Sequence, residues 1–233
     1  MMDDVISRNI EKMQEELGSE YFRLSASGLA FSKVFSRLLE EYGGGRLLDA
    51  GAGNLLYMDL LDDYCDSYEA LDIQEASGID HVQDLQDTDL ESRSYDTVFC
   101  RNVLEHVEKP RSAMSEISSL LRDDGTAIVS VPHLAYLHNE PEDYYRFTQH
   151  GLAEIASDTE LKAVEIRRAG GFFSFLGYIF STFFMGLTYS IPLLRWFTFR
   201  FNLLIQYLCY WLDGILGTGR YMPLNYVAVF RKT

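Results

Sequence analysis

Short apolar runs alternate with amphipathic stretches along most of the chain. From Val5 to Tyr42, apolar residues at three- and four-residue spacing predict helices, including "NIEKMQEEL" and "LAFSKVFSRLLEEY", and the glycines at 43–45 end this pattern. The runs "RLLDA", "YEALDI", "YDTVFC" and "GTAIVSVP" predict four strands, and "PRSAMSEISSLLRDDG" predicts an amphipathic helix that a glycine ends. "LKAVEIRRA" and the C-terminal "NYVAVFRKT" predict two more strands. This alternation indicates an α/β fold with a mostly parallel sheet and right-handed crossovers.

One segment departs from the alternation. Residues 172–194, "FFSFLGYIFSTFFMGLTYSIPLL", contain no charged side chain, and "RWFTFRFNLLIQYLCYWLDGIL" continues at nearly the same apolar density before the final strand. We therefore predict an N-terminal helical cap (1–45), a core (46–170 and 223–233) and a hydrophobic, aromatic helical insertion (171–222).

Three interpretations of this insertion stay open. About twenty apolar residues suffice to cross a bilayer, but both flanking strands belong to one sheet, so two spans or a re-entrant hairpin would be required. A helical pair could instead lie in the membrane interface, with Trp196 and Trp211 at headgroup level. The third interpretation is a lid or a homodimer surface through residues 172–216, because large apolar patches mark partners. We favour membrane association of some kind.

Charge and cysteine content narrow the function. The 233 residues carry a formal net charge of -15, which repels phosphate backbones and argues against a nucleic-acid partner. Cys65, Cys100 and Cys209 are widely spaced and form neither a metal-ligand pattern nor an even set for disulfides. The N-terminus lacks the basic-then-apolar pattern of a secretion signal. We expect a cytoplasmic protein, peripheral to the inner face of the membrane, without a metal site.

The stretch "LLDAGAGN" places two glycines where the first predicted strand ends. In an open parallel sheet, ligands bind beyond the carboxyl ends of the strands, and glycines there allow a ligand to approach the backbone. A tight turn without a ligand is the alternative. Asp72 ends the second predicted strand, where a carboxylate can accept both hydroxyl protons of a ribose. A dinucleotide motif would require a third glycine, but that position is Leu56. The pattern favours a nucleoside ligand without phosphates.

From Leu47 to Ile155 the chain resembles the class I S-adenosylmethionine-dependent methyltransferases. The resemblance is carried, in order, by "LLDAGAGN", "ALDI", "VQDL", "YDTVFCRNVLEHVEKP" and "LLRDDGTAIVSVP". It implies a Rossmann-like sheet of seven strands, mostly parallel with the last strand antiparallel, and helices on both faces. It also implies S-adenosyl-L-methionine as the cofactor.

The resemblance further assigns roles to individual residues. Asp49 and the backbone from Ala50 to Gly53 would face the methionine portion, and Asp72 would bind the ribose. Asp84 would reach the adenine amino group, although a solvated acid is the alternative there. The implied cofactor-binding residues are Asp49, Ala50, Gly51, Ala52, Gly53, Asp72, Ile73, Asp84, Leu85, Arg101 and Asn102.

Transfer of a methyl group to a hydroxyl requires a base, which is most often a histidine. The candidates are His106 in "LEHV", His133 directly after a predicted strand, and His138. A structural role at a helix start is the alternative for His106, and the sequence does not select among the three.

The stretch "PHLAYLHNEPEDYYRFTQHGL" resembles a subset of small bacterial and archaeal methyltransferases associated with glycan and lipid-linked sugar pathways. Tyr144 and Arg146 are its candidate substrate-binding residues, with pairing of Arg146 to Asp143 or Glu142 as the alternative. "FTQHGLAEI" predicts a threonine N-cap and an amphipathic helix.

The predicted function is O-methylation of a small-molecule or lipid-linked sugar acceptor. The alternatives are a methyltransferase for a lipophilic quinone or phenolic acceptor, and a non-catalytic interaction module with the same fold. The run after the third predicted strand, "RNVLEH", is not the Asn/Asp-Pro-Pro-Tyr/Phe run of nucleobase amino methyltransferases.

Overall fold

The computed structural model describes residues 8–10, 12 and 25–233. Residues 8–10 and 12 are helical, and the rest of the helix predicted around "NIEKMQEEL" lies outside the described residues. Helix α1 (Ala26–Tyr42) follows Ser25, whose hydroxyl accepts a hydrogen bond from the Gly28 amide at 3.0 Å. As predicted, the glycines at 43–45 follow its end.

The remaining chain alternates strands with helices until the final helical pair. Its elements are β1 (Arg46–Ala50), α2 (Met58–Asp62), β2 (Ser67–Asp72), β3 (His81–Val82), β4 (Tyr95–Arg101), α3 (Pro110–Leu120), β5 (Leu121–Pro132), α4 (Gln149–Glu154), β6 (Leu161–Ala169), α5 (Phe172–Thr188), α6 (Pro192–Leu216), a 3-10 turn (Thr218–Arg220) and β7 (Asn225–Lys232).

The strands form one sheet in the order β3-β2-β1-β4-β5-β7-β6. The first five strands pair in parallel, and β7 runs antiparallel to β5. The strand order reverses between β1 and β4, so the topological switch point lies at the carboxyl end of β1. This confirms the predicted seven-stranded, mostly parallel sheet.

The central strands are buried over nearly their whole length. Leu47 and Leu48 of β1 have no exposed surface although they point to opposite faces of the sheet, and β5 is buried continuously from Gly125 to Pro132. Such continuous burial is typical of a parallel sheet covered on both faces. The rigid sheet fixes where each loop at its carboxyl edge begins.

Two details differ from the prediction. Helix α3 ends at Leu120 rather than at Gly125, because Leu121 is already extended and pairs with Tyr95 of β4. A Cβ at Gly125 would lie 2.8 Å from the Arg122 carbonyl oxygen, so this glycine serves the tight bend in β5. Six of the seven strands were predicted from apolar runs. The one that was not, β3, has only two residues and is too short to give a hydrophobic pattern.

The chain divides into two compact units. The sheet unit comprises Val34–Arg168 and Asn225–Thr233, and the helical unit comprises Ala169–Leu224 with the described residues up to Lys33. The boundaries predicted at residues 45, 171 and 222 remain predictions.

Within the helical unit, polar side chains join α5 to α6. The Asn202 amide donates to the Ser181 hydroxyl at 2.9 Å, and the Gln206 amide donates to the Gly177 carbonyl at 2.7 Å. Asp213 accepts hydrogen bonds from the backbone amides of Phe173 and Ser174 at 3.0 and 2.8 Å. Because buried amides and carboxylates require partners, these contacts fix the register of the two helices.

The other side of α6 is apolar and exposed. Its exposed large side chains include Trp196, Phe197, Phe201, Leu204, Tyr207, Leu208, Trp211 and Ile215. A groove of about 590 Å³ lies between Phe180 and Phe184 of α5 and Phe197 and Phe201 of α6. No helix within residues 25–233 combines the length and the hydropathy that crossing a membrane requires.

Candidate functional site

The glycine loop after β1 has a backbone that few other residues would adopt. Gly51 and Gly53 have φ of +83° and +53°, in the left-handed region. A Cβ at Gly51 would lie 2.2 Å from Cγ2 of Val103, whereas a Cβ at Gly53 would meet no atom within 4 Å. Gly51 therefore allows the close packing of two loops. Gly53 borders open space at the switch point.

Asp72 connects this loop to the second strand. One carboxylate oxygen accepts a hydrogen bond from the Gly53 amide at 2.8 Å, and the other accepts one from the Gln74 amide at 2.9 Å. Each oxygen retains a lone pair, because a carboxylate accepts about four hydrogen bonds. The next side chain, Ile73, is 66% exposed and offers an apolar surface beside these oxygens.

Asp49, at the end of β1, is almost completely buried. The Tyr68 hydroxyl donates a hydrogen bond to it at 3.0 Å. Burial raises the pKa of Asp49 to about 7, although Tyr68 and the charge of Arg101 oppose this shift. The Arg101 guanidinium lies 4.9 Å from the centre of the Tyr57 ring. A cation bound beside Asp49 would stabilise its ionised form.

The other predicted cofactor-binding residues differ in how far they are buried and in whether they already have protein partners. Ala50 and Ala52 are buried, and Leu85 is 4% exposed within the core of the sheet unit. Asp84 accepts hydrogen bonds from the backbone and side-chain amides of Gln86. These contacts show protein partners for Asp84 and leave its predicted contact with adenine untested.

Asn102 has a left-handed backbone, with φ of +52°. Its side-chain oxygen accepts a hydrogen bond from the Ser130 hydroxyl at 2.9 Å, and its backbone amide donates a hydrogen bond to the Ser130 carbonyl at 3.0 Å. These bonds hold the start of the loop after β4 against the end of β5.

The geometry fits S-adenosylmethionine. Asp72 presents a carboxylate suited to ribose hydroxyls, Ile73 presents an exposed apolar surface suited to a purine, and the space at Gly53 would be narrowed by a Cβ. Asp49 suits the ammonium group of the methionine portion because it is a buried acid that a cation would ionise.

Two candidate histidines meet at the carboxyl edge of the sheet, in the loops after β4 and β5. The rings of His106 and His138 are 4.9 Å apart, edge to face. Nδ1 of His106 lies 2.5 Å from the Glu142 carbonyl, and Nδ1 of His138 lies 3.0 Å from the Tyr136 carbonyl. A carbonyl accepts only, so Nδ1 of His106 carries a proton and Nε2 of its neutral ring carries a lone pair. Nδ1 of His138 also lies 3.4 Å from the Arg146 guanidinium. Burial lowers the pKa of His106, which favours the neutral ring.

Glu105 is a candidate site residue that the sequence did not single out. Its side chain has no exposed surface, and neither carboxylate oxygen has a hydrogen-bond partner among the described residues. Burial raises the pKa of Glu105 to about 8. Its Oε1 lies 3.8 Å from Nε2 of His106. The only signal in the sequence was its position beside His106 in "LEHV".

Glu105, His106 and His138 form one group, the Glu105–His106–His138 cluster. One oxygen or nitrogen atom from each residue lies within 4.8 Å of the other two. His133 is separate from this cluster: its Nδ1 lies 2.9 Å from the Phe147 carbonyl, and its ring is 5.3 Å from that of Tyr226.

The predicted substrate-binding residues lie in the loop between β5 and α4. Arg146 forms a two-pronged ion pair with Asp143, at 2.6 and 2.7 Å, and donates to the Ala135, Tyr136 and Tyr145 carbonyls. These contacts agree with the alternative in which Arg146 pairs with Asp143 and stabilises the loop. Hydrogen bonding by Arg146 lowers the pKa of Asp143 to about 2.

Tyr144 and the next helix complete this loop. Tyr144 is 45% exposed, and its backbone amide donates to the Glu105 carbonyl at 2.8 Å. The predicted threonine N-cap is confirmed, because the Thr148 hydroxyl accepts a hydrogen bond from the Gly151 amide at 3.0 Å. The cap fixes where α4 begins and where the loop ends.

Several solved structures share this fold. A 1,6-didemethyltoxoflavin-N1-methyltransferase from Burkholderia thailandensis, with 1,6-didemethyltoxoflavin and S-adenosylhomocysteine bound, is 16% identical with a TM-score of 0.57, over 99% of this chain and 88% of that one. A complex of the Haloferax volcanii Trm112 methyltransferase activator with a methyltransferase is 13% identical with a TM-score of 0.58, over 98% and 97%. An S-adenosylmethionine-dependent methyltransferase from Archaeoglobus fulgidus is 18% identical with a TM-score of 0.53, over 86% and 94%. At these identities the likeness shows the fold alone.

A family comparison extends this result. No curated protein matched the sequence. The family model described as a methyltransferase domain matches residues 13–169, which is more than half of the chain. The chain therefore belongs to the methyltransferase-domain family and is a class I methyltransferase that uses S-adenosyl-L-methionine.

Proposed function

We propose that this enzyme methylates a hydroxyl oxygen of a small-molecule or lipid-linked sugar acceptor, in the cytoplasm at the inner face of the membrane. The observation that carries the proposal is the Glu105–His106–His138 cluster at the carboxyl edge of the sheet. A hydroxyl is a poor nucleophile until its proton is removed, and a neutral imidazole near pH 7 is suited to that task.

The chain's own residues would position the reactants. The cofactor supplies an electrophilic methyl group; Asp72 would bind its ribose, Ile73 its adenine and Asp49 its ammonium. Because the Glu142 carbonyl holds the proton on Nδ1 of His106, Nε2 is the nitrogen that would accept the hydroxyl proton. His138 and His133, whose Nδ1 atoms also lie near backbone carbonyls, are the further candidates. Alignment of donor and acceptor supplies most of the remaining rate enhancement.

The loop after β5 supports a sugar acceptor, because Tyr144 is 45% exposed and its hydroxyl is suited to hydrogen bonding with sugar hydroxyls. The exposed apolar face of α6 supports an acceptor carried on a lipid, since side chains of this kind insert at membrane surfaces. The groove lined by Phe180, Phe184, Phe197 and Phe201 favours the second candidate function, methylation of a lipophilic quinol or phenol.

The experiment is a transfer assay with tritiated S-adenosylmethionine. Three acceptor sets are offered: free sugars, polyprenyl-phosphate-linked sugars, and quinols with simple phenols. Label in an ether of either sugar set, lost in Asp72→Ala, supports the proposal. Label only in the quinol and phenol set supports the second candidate instead. Label on nitrogen, or none together with no calorimetric binding of S-adenosylhomocysteine, overturns both.

A further inference from the structure

The Glu105 carboxylate is an unusual group to find inside a folded unit. It has no exposed surface, and no side chain among the described residues donates a hydrogen bond to either oxygen. A buried polar group without a partner costs about 1–3 kcal/mol, and a charged one costs more. In native proteins such a group requires an explanation, such as a catalytic role, a bound water or a bound ion. The ligand that an unpartnered carboxylate requires is a donor or a cation.

The neighbours of Glu105 point to a cation. His106 and His138 each present a ring nitrogen, and one such atom from every member of the cluster lies within 4.8 Å of the others. Two imidazoles with one carboxylate are a common ligand set for zinc and for other first-row divalent metals. Magnesium and calcium, by contrast, prefer oxygen ligands.

The outer contact of His106 is that of a metal ligand. Nδ1 of His106 faces the Glu142 carbonyl at 2.5 Å, and such a hydrogen bond sets the tautomer and ring orientation of a ligating histidine and leaves Nε2 to bind the metal. Nδ1 of His138 lies 3.0 Å from the Tyr136 carbonyl and 3.4 Å from the Arg146 guanidinium, and these contacts orient its ring. Asp143, which accepts a hydrogen bond from the His138 backbone amide at 2.9 Å, stabilises the same loop.

We propose that the Glu105–His106–His138 cluster binds one divalent transition-metal cation of the zinc class, contrary to the expectation from cysteine spacing. Ligand atoms around tetrahedral zinc lie about 3.4 Å apart, so atoms of the cluster that are as much as 4.8 Å apart must close by up to about 1.4 Å when the cation binds. The 3.8 Å separation between Glu105 and His106 is already close to that value.

Three protein ligands leave at least one coordination position open, as in catalytic rather than structural sites. This part of the inference rests on the proposed function: the open position would bind the acceptor hydroxyl and lower its pKa, with the proton passing to solvent water. The two histidines would then act as ligands, and the cation would replace a free imidazole as the activating group.

The test is cation binding to the full chain without any acceptor. Protein treated with a chelator and desalted is titrated with zinc chloride by calorimetry and with cobalt(II) chloride by visible absorption. We expect one equivalent to bind, with the strong visible bands of four- or five-coordinate cobalt. His106→Ala, His138→Ala and Glu105→Gln each weaken binding at least about 10- to 100-fold. His133→Ala, which removes an imidazole outside the cluster, binds as the wild type does.

Binding of S-adenosylhomocysteine shows whether each variant is folded. If Glu105→Gln fails that check, His138→Gln serves, because His138 lies on a loop and is partly exposed. The proposal is wrong if the wild type binds no cation, if the variants bind as the wild type does, or if cobalt shows only the weak bands of a hydrated surface ion. Methyl transfer that persists in chelator, without cation binding, would refute the metal site and leave the proposed function intact. Cation binding without methyl transfer to any hydroxyl would support the metal site and refute the proposed function.

Discussion

The backbone amide of Gly53 donates a hydrogen bond of 2.8 Å to the Asp72 carboxylate, and this bond joins the glycine loop after β1 to the tip of β2. The two features that the sequence suggested as separate halves of a nucleoside site are thus one connected structure. The carboxylate has two tasks, because it fixes the loop and it is the group expected to bind a ribose.

Replacement of Asp72 by alanine is expected to weaken binding of S-adenosylhomocysteine by about 10- to 100-fold, because hydrogen bonds to a charged group contribute about 1.5–3 kcal/mol. Calorimetry measures the change. The matched control is Asp87→Asn, which alters an exposed acid in the nearby acidic loop and should leave affinity unchanged. Equal affinity of Asp72→Ala and wild type would remove the central support for the site.

Replacement of Gly53 by alanine separates backbone strain from obstruction. The change costs about 1–2 kcal/mol of stability, because an L-residue must adopt a positive φ. The new Cβ also enters open space beside the loop, so affinity for S-adenosylhomocysteine should fall at least about tenfold, a loss of about 1.4 kcal/mol.

Gly217 provides the control for this experiment. It ends α6 with a φ of +64°, and a Cβ there would also meet no atom within 4 Å. Gly217→Ala should lower the thermal midpoint as Gly53→Ala does but leave cofactor affinity unchanged. Similar loss of affinity in both variants would mean that strain, not the ligand space, explains the result.

Asp49 predicts a pH dependence of stability. Its pKa is raised to about 7 by burial, so from about pH 4 to pH 7 the folded protein keeps a proton that the unfolded chain has lost. The free energy of unfolding should therefore fall with rising pH in this window, by on the order of 1 kcal/mol per pH unit, and level off above it. Asp49→Asn lacks this contribution.

Urea unfolding of wild type and Asp49→Asn at pH 5, 6, 7 and 8 measures the difference. The free energy of unfolding of the variant should rise relative to that of the wild type as pH increases to about 7. Above pH 7 the difference between the two proteins should stay constant. A constant difference between the two proteins at all four pH values would show that Asp49 is ionised throughout.

The exposed face of α6 predicts binding to neutral lipid surfaces. In a flotation assay with phosphatidylcholine vesicles, the full chain should float with the vesicles, because Trp196 and Trp211 are both more than half exposed. The double variant Trp196→Ser/Trp211→Ser should remain largely in the soluble fraction.

The control for flotation is Val82→Ser/Val164→Ser, which removes two exposed apolar side chains of the strands. This variant should float as the wild type does. If the wild type does not float, the lid and dimer interpretations of the insertion gain support, and measurement of the oligomeric state would separate them.

Elements with a long periodic pattern or a strong end signal could be predicted from the sequence. The central strands, α1 with its glycine stop, and the Thr148 cap each follow from local residues. The two-residue β3 could not be predicted, since its pairing depends on its neighbour β2. The end of α3 at Leu120 was missed because pairing of Leu121 with Tyr95 outweighs the local helical pattern.

The candidate site divides in the same way. Asp72 and the glycines could be proposed from the sequence because their spacing falls within one βαβ unit. Glu105 could not, because its isolation from hydrogen-bond donors is a property of three-dimensional packing. The meeting of His106 with His138 depends likewise on two parallel strands ending at one edge of the sheet.

Asp213 couples the folding of the two aromatic helices, α5 and α6. It lies near the end of α6, yet its carboxylate binds the first amides of α5, about forty residues earlier in the chain. During synthesis the first turn of α5 stays without its acceptor until most of α6 has left the ribosome. The start of α5 should consequently fold only after Asp213 has been made, and truncation before Asp213 should unfold the first turn of α5 while Asn202 and Gln206 still join the two helices.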